Sequence, residues 1–79
     1  MKPEEFLKKY FLEKMSKNEF LKINKKDLLS EGILDSLDIV ILSTKIRKIF
    51  KINIKINSQK TINIFRSYKE ILKYIKKSY

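Results

Sequence analysis

Between Ser36 and Phe50 the residues Ile39, Leu42, Ile46, Ile49 and Phe50 fall on one continuous arc when successive side chains are set about 100° apart. Such a run is an amphipathic helix with an apolar stripe that must be covered by the rest of the chain. With 79 residues there is room for only a few more elements to cover it, near the size where one apolar core only just outweighs chain entropy. No cysteine is present to staple them together. There is thus no disulfide framework, no thiol nucleophile and no thiolate metal site, and nothing points to an oxidising compartment. One domain over residues 1–79 is expected, held by its core alone.

The elements that could cover the stripe are legible on either side of it. Pro3 at a first helical turn, with Glu4 and Glu5 beside it, opens a helix predicted to run to about Ser16. Leu7, Tyr10, Phe11 and Met15 line one face, which Phe6 and Leu12 broaden into a core stripe. Residues 18–31 mix lysine and asparagine with Phe20, Leu21, Ile23, Leu28 and Leu29, and read as a long loop pinned to the core. Gly32, the single glycine, permits the turn into the second helix.

After Phe50, Lys51 to Asn57 alternates Lys or Asn with Ile52, Ile54 and Ile56, a strand pattern with no second strand to pair with. It reads as an extended connection whose alternate isoleucines plug the core. A short helical turn is predicted around Gln59 to Phe65. A last helix comes after it, opened by a capping box of Ser67 and Glu70, with Tyr68, Ile71, Leu72 and Ile75 on its apolar side. The fold class is all-α: a four-helix bundle with a long first loop and a short third helix.

Histidine is absent as well as cysteine, which removes the usual zinc ligands and the commonest general base. No metal site and no catalytic residue is expected. The N-terminal residues 1–15 are interrupted by Glu4, Glu5 and Glu13 and lack the apolar core of a signal peptide. The longest aliphatic run, Ile39 to Leu42, is too short to span a bilayer. The expectation is a soluble, cytoplasmic monomer.

The net charge of +10 points toward anionic partners. Nearly all the cations are lysines, however, and the chain is rich in isoleucine and asparagine while lacking alanine, the bias an AT-rich genome imposes. Arginine, the better residue for bidentate contacts, occurs only at Arg47 and Arg66. No nucleic-acid partner is expected on this composition.

The chemistry of the chain centres on Gly32-Ile33-Leu34-Asp35-Ser36-Leu37-Asp38. Asp35 suits a helix N-cap, and Asp38 three residues on completes an Asp version of the capping box. Ser36 then stands at N1, beside unpaired N–H donors and the positive end of the helix dipole, where an attached phosphate is favoured. Leu37, Val40 and Ile41 lie off the core arc, on a flank with Thr44, Arg47 and Lys48, and read as a docking surface.

In Asp35-Ser36-Leu37, in the helix spacing of Leu42, Ile46 and Phe50, and in Phe50-Lys51-Ile52-Asn53-Ile54, the chain resembles the acyl and peptidyl carrier proteins. The resemblance covers most of the chain. It implies the acyl-carrier bundle, with 4'-phosphopantetheine transferred from coenzyme A onto the Ser36 oxygen by a phosphopantetheinyl transferase. The arm's thiol would carry an acyl or aminoacyl group as a thioester, loaded by a ligase and passed to a downstream transferase. Asp35 would cap the helix and also aid recognition by the phosphopantetheinyl transferase. Two departures refine this. Carriers of fatty-acid synthesis present acidic side chains along the second helix, where this chain has Ile41, Lys45, Arg47 and Lys48, residues that would meet different partners. The lead-in Gly32-Ile33-Leu34-Asp35-Ser36 is more like that of specialised carriers, including the D-alanyl and aminoacyl ones, and implies a dedicated biosynthetic or surface-modification pathway. The alternatives are a small basic nucleic-acid-binding bundle and an adaptor that docks through Leu37, Val40 and Ile41 without modification.

Overall fold

The computed structural model describes residues 1–55 and 58–78. Among the described residues the regular elements are all helical, with no strand: α1 (Pro3–Leu12), α2 (Lys17–Phe20), a 3-10 turn (Ile23–Lys25), α3 (Ser36–Phe50), α4 (Gln59–Ile64) and α5 (Tyr68–Ser78). The all-α class is as expected, with five α-helices rather than four. Among the described residues no helix is long and apolar enough to cross a membrane.

The extra helix comes from the way α1 stops. Apolar spacing carried the expected helix to Ser16, but the α-helix ends at Leu12 and the Lys14 and Met15 amides both turn back onto the Phe11 carbonyl. Ser16 then adopts extended backbone and starts anew. Its hydroxyl accepts from the Glu19 N–H at 3.2 Å, and the Glu19 carboxylate accepts from the Ser16 N–H, a complete capping box for α2. The segment 18–31 is therefore not all loop.

The segment between α2 and α3 is bound tightly to the rest of the molecule. Ile23, Leu28 and Leu34 are buried, the Leu28 N–H donates to the Arg66 carbonyl at 2.7 Å, and the Leu34 N–H donates back to the Leu28 carbonyl at 2.9 Å. Asp27 closes the turn by accepting from the Leu29 and Ser30 amides, and it pairs with Arg66 at 3.5 Å. Gly32 takes the left-handed conformation, φ 74°, that ends this turn.

α3 spans the predicted residues, and one apolar cluster surrounds it, drawing on α1, the segment before α3, the extended connection, α4's end and α5. Aromatic rings tie α1 to its neighbours edge to face: Phe6 meets Phe50 and Phe11 meets Tyr68, both with centroids 5.4 Å apart. The chain leaves α3 through Lys51 in a left-handed conformation. It then runs extended with Ile52 and Ile54 buried and Lys51, Asn53 and Lys55 exposed, as the alternation predicted. Ile56 and Asn57 lie outside the described residues. Ser58 caps α4, its hydroxyl accepting from the Lys60 N–H, and the Ser67 hydroxyl accepts from the Glu70 N–H where α5 begins. Tyr68, Ile71 and Ile75 are buried, and Leu72 packs at the edge.

The buried stripe of α3 is Ile39, Leu42, Ser43, Ile46 and Phe50. Ile49, assigned to the core on the helical wheel, is 43% exposed. The stripe is centred toward Ser43, so that Ile49 falls on its margin, where α1 leaves a shallow groove against α3 lined by Phe6, Tyr10, Lys45, Lys48 and Ile49. Ser43 is fully enclosed and its hydroxyl has no hydrogen-bond partner among the described residues. Ser43→Ala should therefore stabilise the protein by about 1 kcal/mol, because it removes a desolvated, unpaired hydroxyl and substitutes a better helix former. A lower midpoint in urea for this variant would show that the hydroxyl is engaged after all.

Candidate functional site

The start of α3 is built by reciprocal capping. Asp35 has extended backbone and its Oδ1 accepts from the Asp38 N–H at 2.9 Å, while Asp38 Oδ2 accepts from the Asp35 N–H at 3.1 Å. Leu34 before the cap and Ile39 after it are both buried, at the two positions of a hydrophobic staple, which sets the angle at which the chain enters the helix. Ser36 stands between the two aspartates at the first helical position, exposed, its hydroxyl making no hydrogen bond within the described residues.

Asp38 also reaches out of its own helix. Its Oδ1 accepts from the Lys14 ammonium at 2.7 Å, a bond that ties the turn after α1 to the first turn of α3. Nothing in the linear pattern pointed to Lys14, which is 24 residues away. The ammonium offsets one of the two carboxylates flanking Ser36, so that an anion attached there meets less repulsion than Asp35 and Asp38 alone would impose.

Burial opposes the charge on Asp38, but the Lys14 ammonium and the Asp35 N–H outweigh it and hold the carboxyl below its ordinary value. A carboxylate depressed in the folded state stabilises the fold above its unfolded-state pKa, and that contribution is lost as pH falls through the folded value. Asp27, held down chiefly by the Ser30 N–H, acts in the same direction. Stability should accordingly decline from about pH 4 downward, and Asp38→Asn should flatten part of that decline in urea melts across the range. An unchanged acid profile would mean the Lys14 bond contributes nothing to folding.

Tyr10 stands on the Lys14 side of this junction. The Lys14 and Lys45 ammonium groups lie 5.6 and 5.4 Å from its ring centroid, within cation–π range. Burial first, then the carboxylates of Asp38, Asp35 and Glu13, push its hydroxyl up to about 12, so it is protonated under ordinary conditions.

The residues expected to form a partner surface divide into groups. Leu37, Val40 and Ile41 are exposed by 66, 43 and 40%, an apolar flank directly after Ser36. Lys48 is exposed as well. Arg47 is exposed but its guanidinium donates to the Ile54 carbonyl at 3.3 Å, holding the extended connection against α3. Lys45 is not beside Ser36. Nine residues on along a helix place it about 180° round the axis, on the α1 side over the Tyr10 ring. Comparison of the chain with protein-family models, curated proteins and solved structures found no match.

Proposed function

We propose that this protein is a carrier of the acyl or peptidyl type, with 4'-phosphopantetheine joined to the Ser36 oxygen. The observation that carries the reading is the exposed, unbonded Ser36 hydroxyl at the first position of a 15-residue helix, locked by a two-sided Asp35–Asp38 cap and followed by the apolar flank of Leu37, Val40 and Ile41.

The residues present fit a phosphodiester. Helix starts leave their first amides without helical acceptors, and the Asp35 cap occupies the Asp38 N–H, so those of Ser36 and Leu37 remain for phosphate oxygens. Lys14 moderates the Asp38 charge nearby. The arm would supply a terminal thiol that holds the cargo as a thioester, chemistry this cysteine-free chain cannot perform itself. The protein's own part is to present the hydroxyl on a rigid helix end, to orient it through the cap and to offer Leu37, Val40 and Ile41 to the enzymes that act on the arm. Tethering raises the local concentration of cargo at each of their active sites.

Partners under this reading are a phosphopantetheinyl transferase, an acyl- or aminoacyl-loading ligase and a downstream transferase, in a dedicated biosynthetic or surface-modification pathway of the cytoplasm. The basic residues of α3 support partners other than those that recognise an acidic helix. The decisive experiment is intact mass spectrometry after incubation with coenzyme A and a promiscuous phosphopantetheinyl transferase.

A further inference from the structure

The charge of the molecule is segregated along the chain. Residues 1–38 hold eight lysines and eight carboxylates and are neutral, whereas residues 39–79 hold eleven lysines and arginines against Glu70 alone, and so contain the whole net charge of +10. The cations are spread almost evenly along the sequence; the carboxylates are what is segregated, so the second half carries its lysines without counter-charges.

The structure gathers four of these cations around one concavity. The extended connection, α4 and α5 enclose an open groove of about 590 Å³ with Lys55, Lys60, Lys73 and Lys77 on its walls and the half-buried side chains of Ile64 and Tyr74 along it. None of its lining residues comes from α3 or from the segment leading into it. All four lysines are exposed and none is ion-paired among the described residues. Of the other cations in this half, Arg47 is committed to Ile54, Arg66 to Asp27, Lys76 to Glu4 and Lys45 to the Tyr10 ring, while Lys48, Lys51 and Lys69 are exposed outside the groove. Four unpaired ammonium groups held around one groove repel one another, and an anionic occupant relieves that repulsion.

We propose that this groove is a docking site for an acidic, partly apolar segment of a partner protein. Three features favour a polypeptide over nucleic acid. Both arginines, the residues suited to bidentate phosphate and base contacts, are tied up within the chain. The Glu70 carboxylate stands in the wall, where it repels a continuous phosphate backbone and accepts from a peptide N–H. Ile64 and Tyr74 give apolar side chains somewhere to pack between the salt contacts, as interface cores require. The proposal stands independently of what Ser36 carries, since it needs no modification there.

The test uses the full chain and a short fluorescent peptide in which glutamates alternate with leucine and valine, with an oligo-dT of matching net charge as the competing probe. Two variants carry the same loss of charge: Lys55, Lys60, Lys73 and Lys77 all changed to Gln, and Lys8, Lys17, Lys22 and Lys25 all changed to Gln on the neutral half. Each set removes exposed, unpaired side chains, and thermal melts establish that both fold. The groove set should weaken peptide binding by about 10-fold or more at low salt and the control set by no more than about 3-fold, with salt suppressing the wild-type affinity. If the groove set melts early, the four single Lys→Gln variants replace it, each expected to weaken binding about 2-fold. Equal losses in the two sets, or no peptide binding by the wild type, overturn the proposal. So does tighter binding of oligo-dT that disappears with the groove lysines, which would assign the groove to nucleic acid.

Discussion

Incubated with coenzyme A and a promiscuous phosphopantetheinyl transferase, the wild-type chain is expected to gain the mass of one phosphopantetheine arm and Ser36→Ala to gain none. The other described serines are each unsuited for a distinct reason. The hydroxyls of Ser16, Ser58 and Ser67 are taken as caps, accepting from Glu19, Lys60 and Glu70 amides. Ser43 is fully enclosed. Ser30 sits in the Asp27 turn rather than at a helix start, and Ser78 is the last residue of α5, at the negative end of its dipole. Removing the Ser36 hydroxyl breaks no hydrogen bond among the described residues, so the variant should keep its stability within about 0.5 kcal/mol. That separates a lost acceptor from a lost structure. Modification that persists in Ser36→Ala, or a wild type left unmodified under conditions that load a known carrier, would sink the carrier reading.

The largest effect on stability is expected at Ile46. Its side chain is 1% exposed on the inner face of α3, and truncation to alanine should cost about 2–5 kcal/mol, the transfer term plus the cavity left in a close-packed core. Small domains have little to spare, since total stabilities run from about 5 to 15 kcal/mol. For a chain of this length each lost kcal/mol lowers the melting temperature by about 4–8 °C, so a fall of about 10 °C or more is expected. Ile41→Ala and Ile49→Ala, at 40 and 43% exposure, should each cost under about 1 kcal/mol. Urea denaturation of the three variants checks the order. A loss at Ile41 or Ile49 equal to that at Ile46 would mean that the inner face of α3 has been misassigned.

The contrast between Ile46 and Ile49 also shows how far a linear sequence can be read. A wheel locates an apolar arc but not the direction from which neighbours cover it, and Ile49 sits where the covering by α1 gives way to the groove beside Tyr10. The limits of α3 were legible because they depend on adjacent residues: the Asp35–Asp38 cap at one end and the loss of helical periodicity after Phe50 at the other. The burial of Ile52 and Ile54 was legible for the same reason, an alternation within a few residues. The end of α1 was misread because Met15 continues its apolar spacing, although Ser16 and Glu19 held a local signal in their capping-box spacing. No local signal existed for Lys14 on Asp38, for Lys45 over Tyr10, or for four lysines of three segments around one groove, because each depends on how distant elements pack.

The bond from the Leu28 amide to the Arg66 carbonyl makes the approach to Ser36 depend on the turn between α4 and α5. α3 and its cap can form from residues close in sequence, but the segment that leads into Ser36 is fastened only once the turn between α4 and α5 has closed. A chain cut after α3 would keep the Asp35–Asp38 cap but lose both the Leu28–Arg66 bond and the Asp27–Arg66 pair. The helix start and its approach are thus secured separately, the one by neighbours in sequence and the other by a contact between residues 28 and 66.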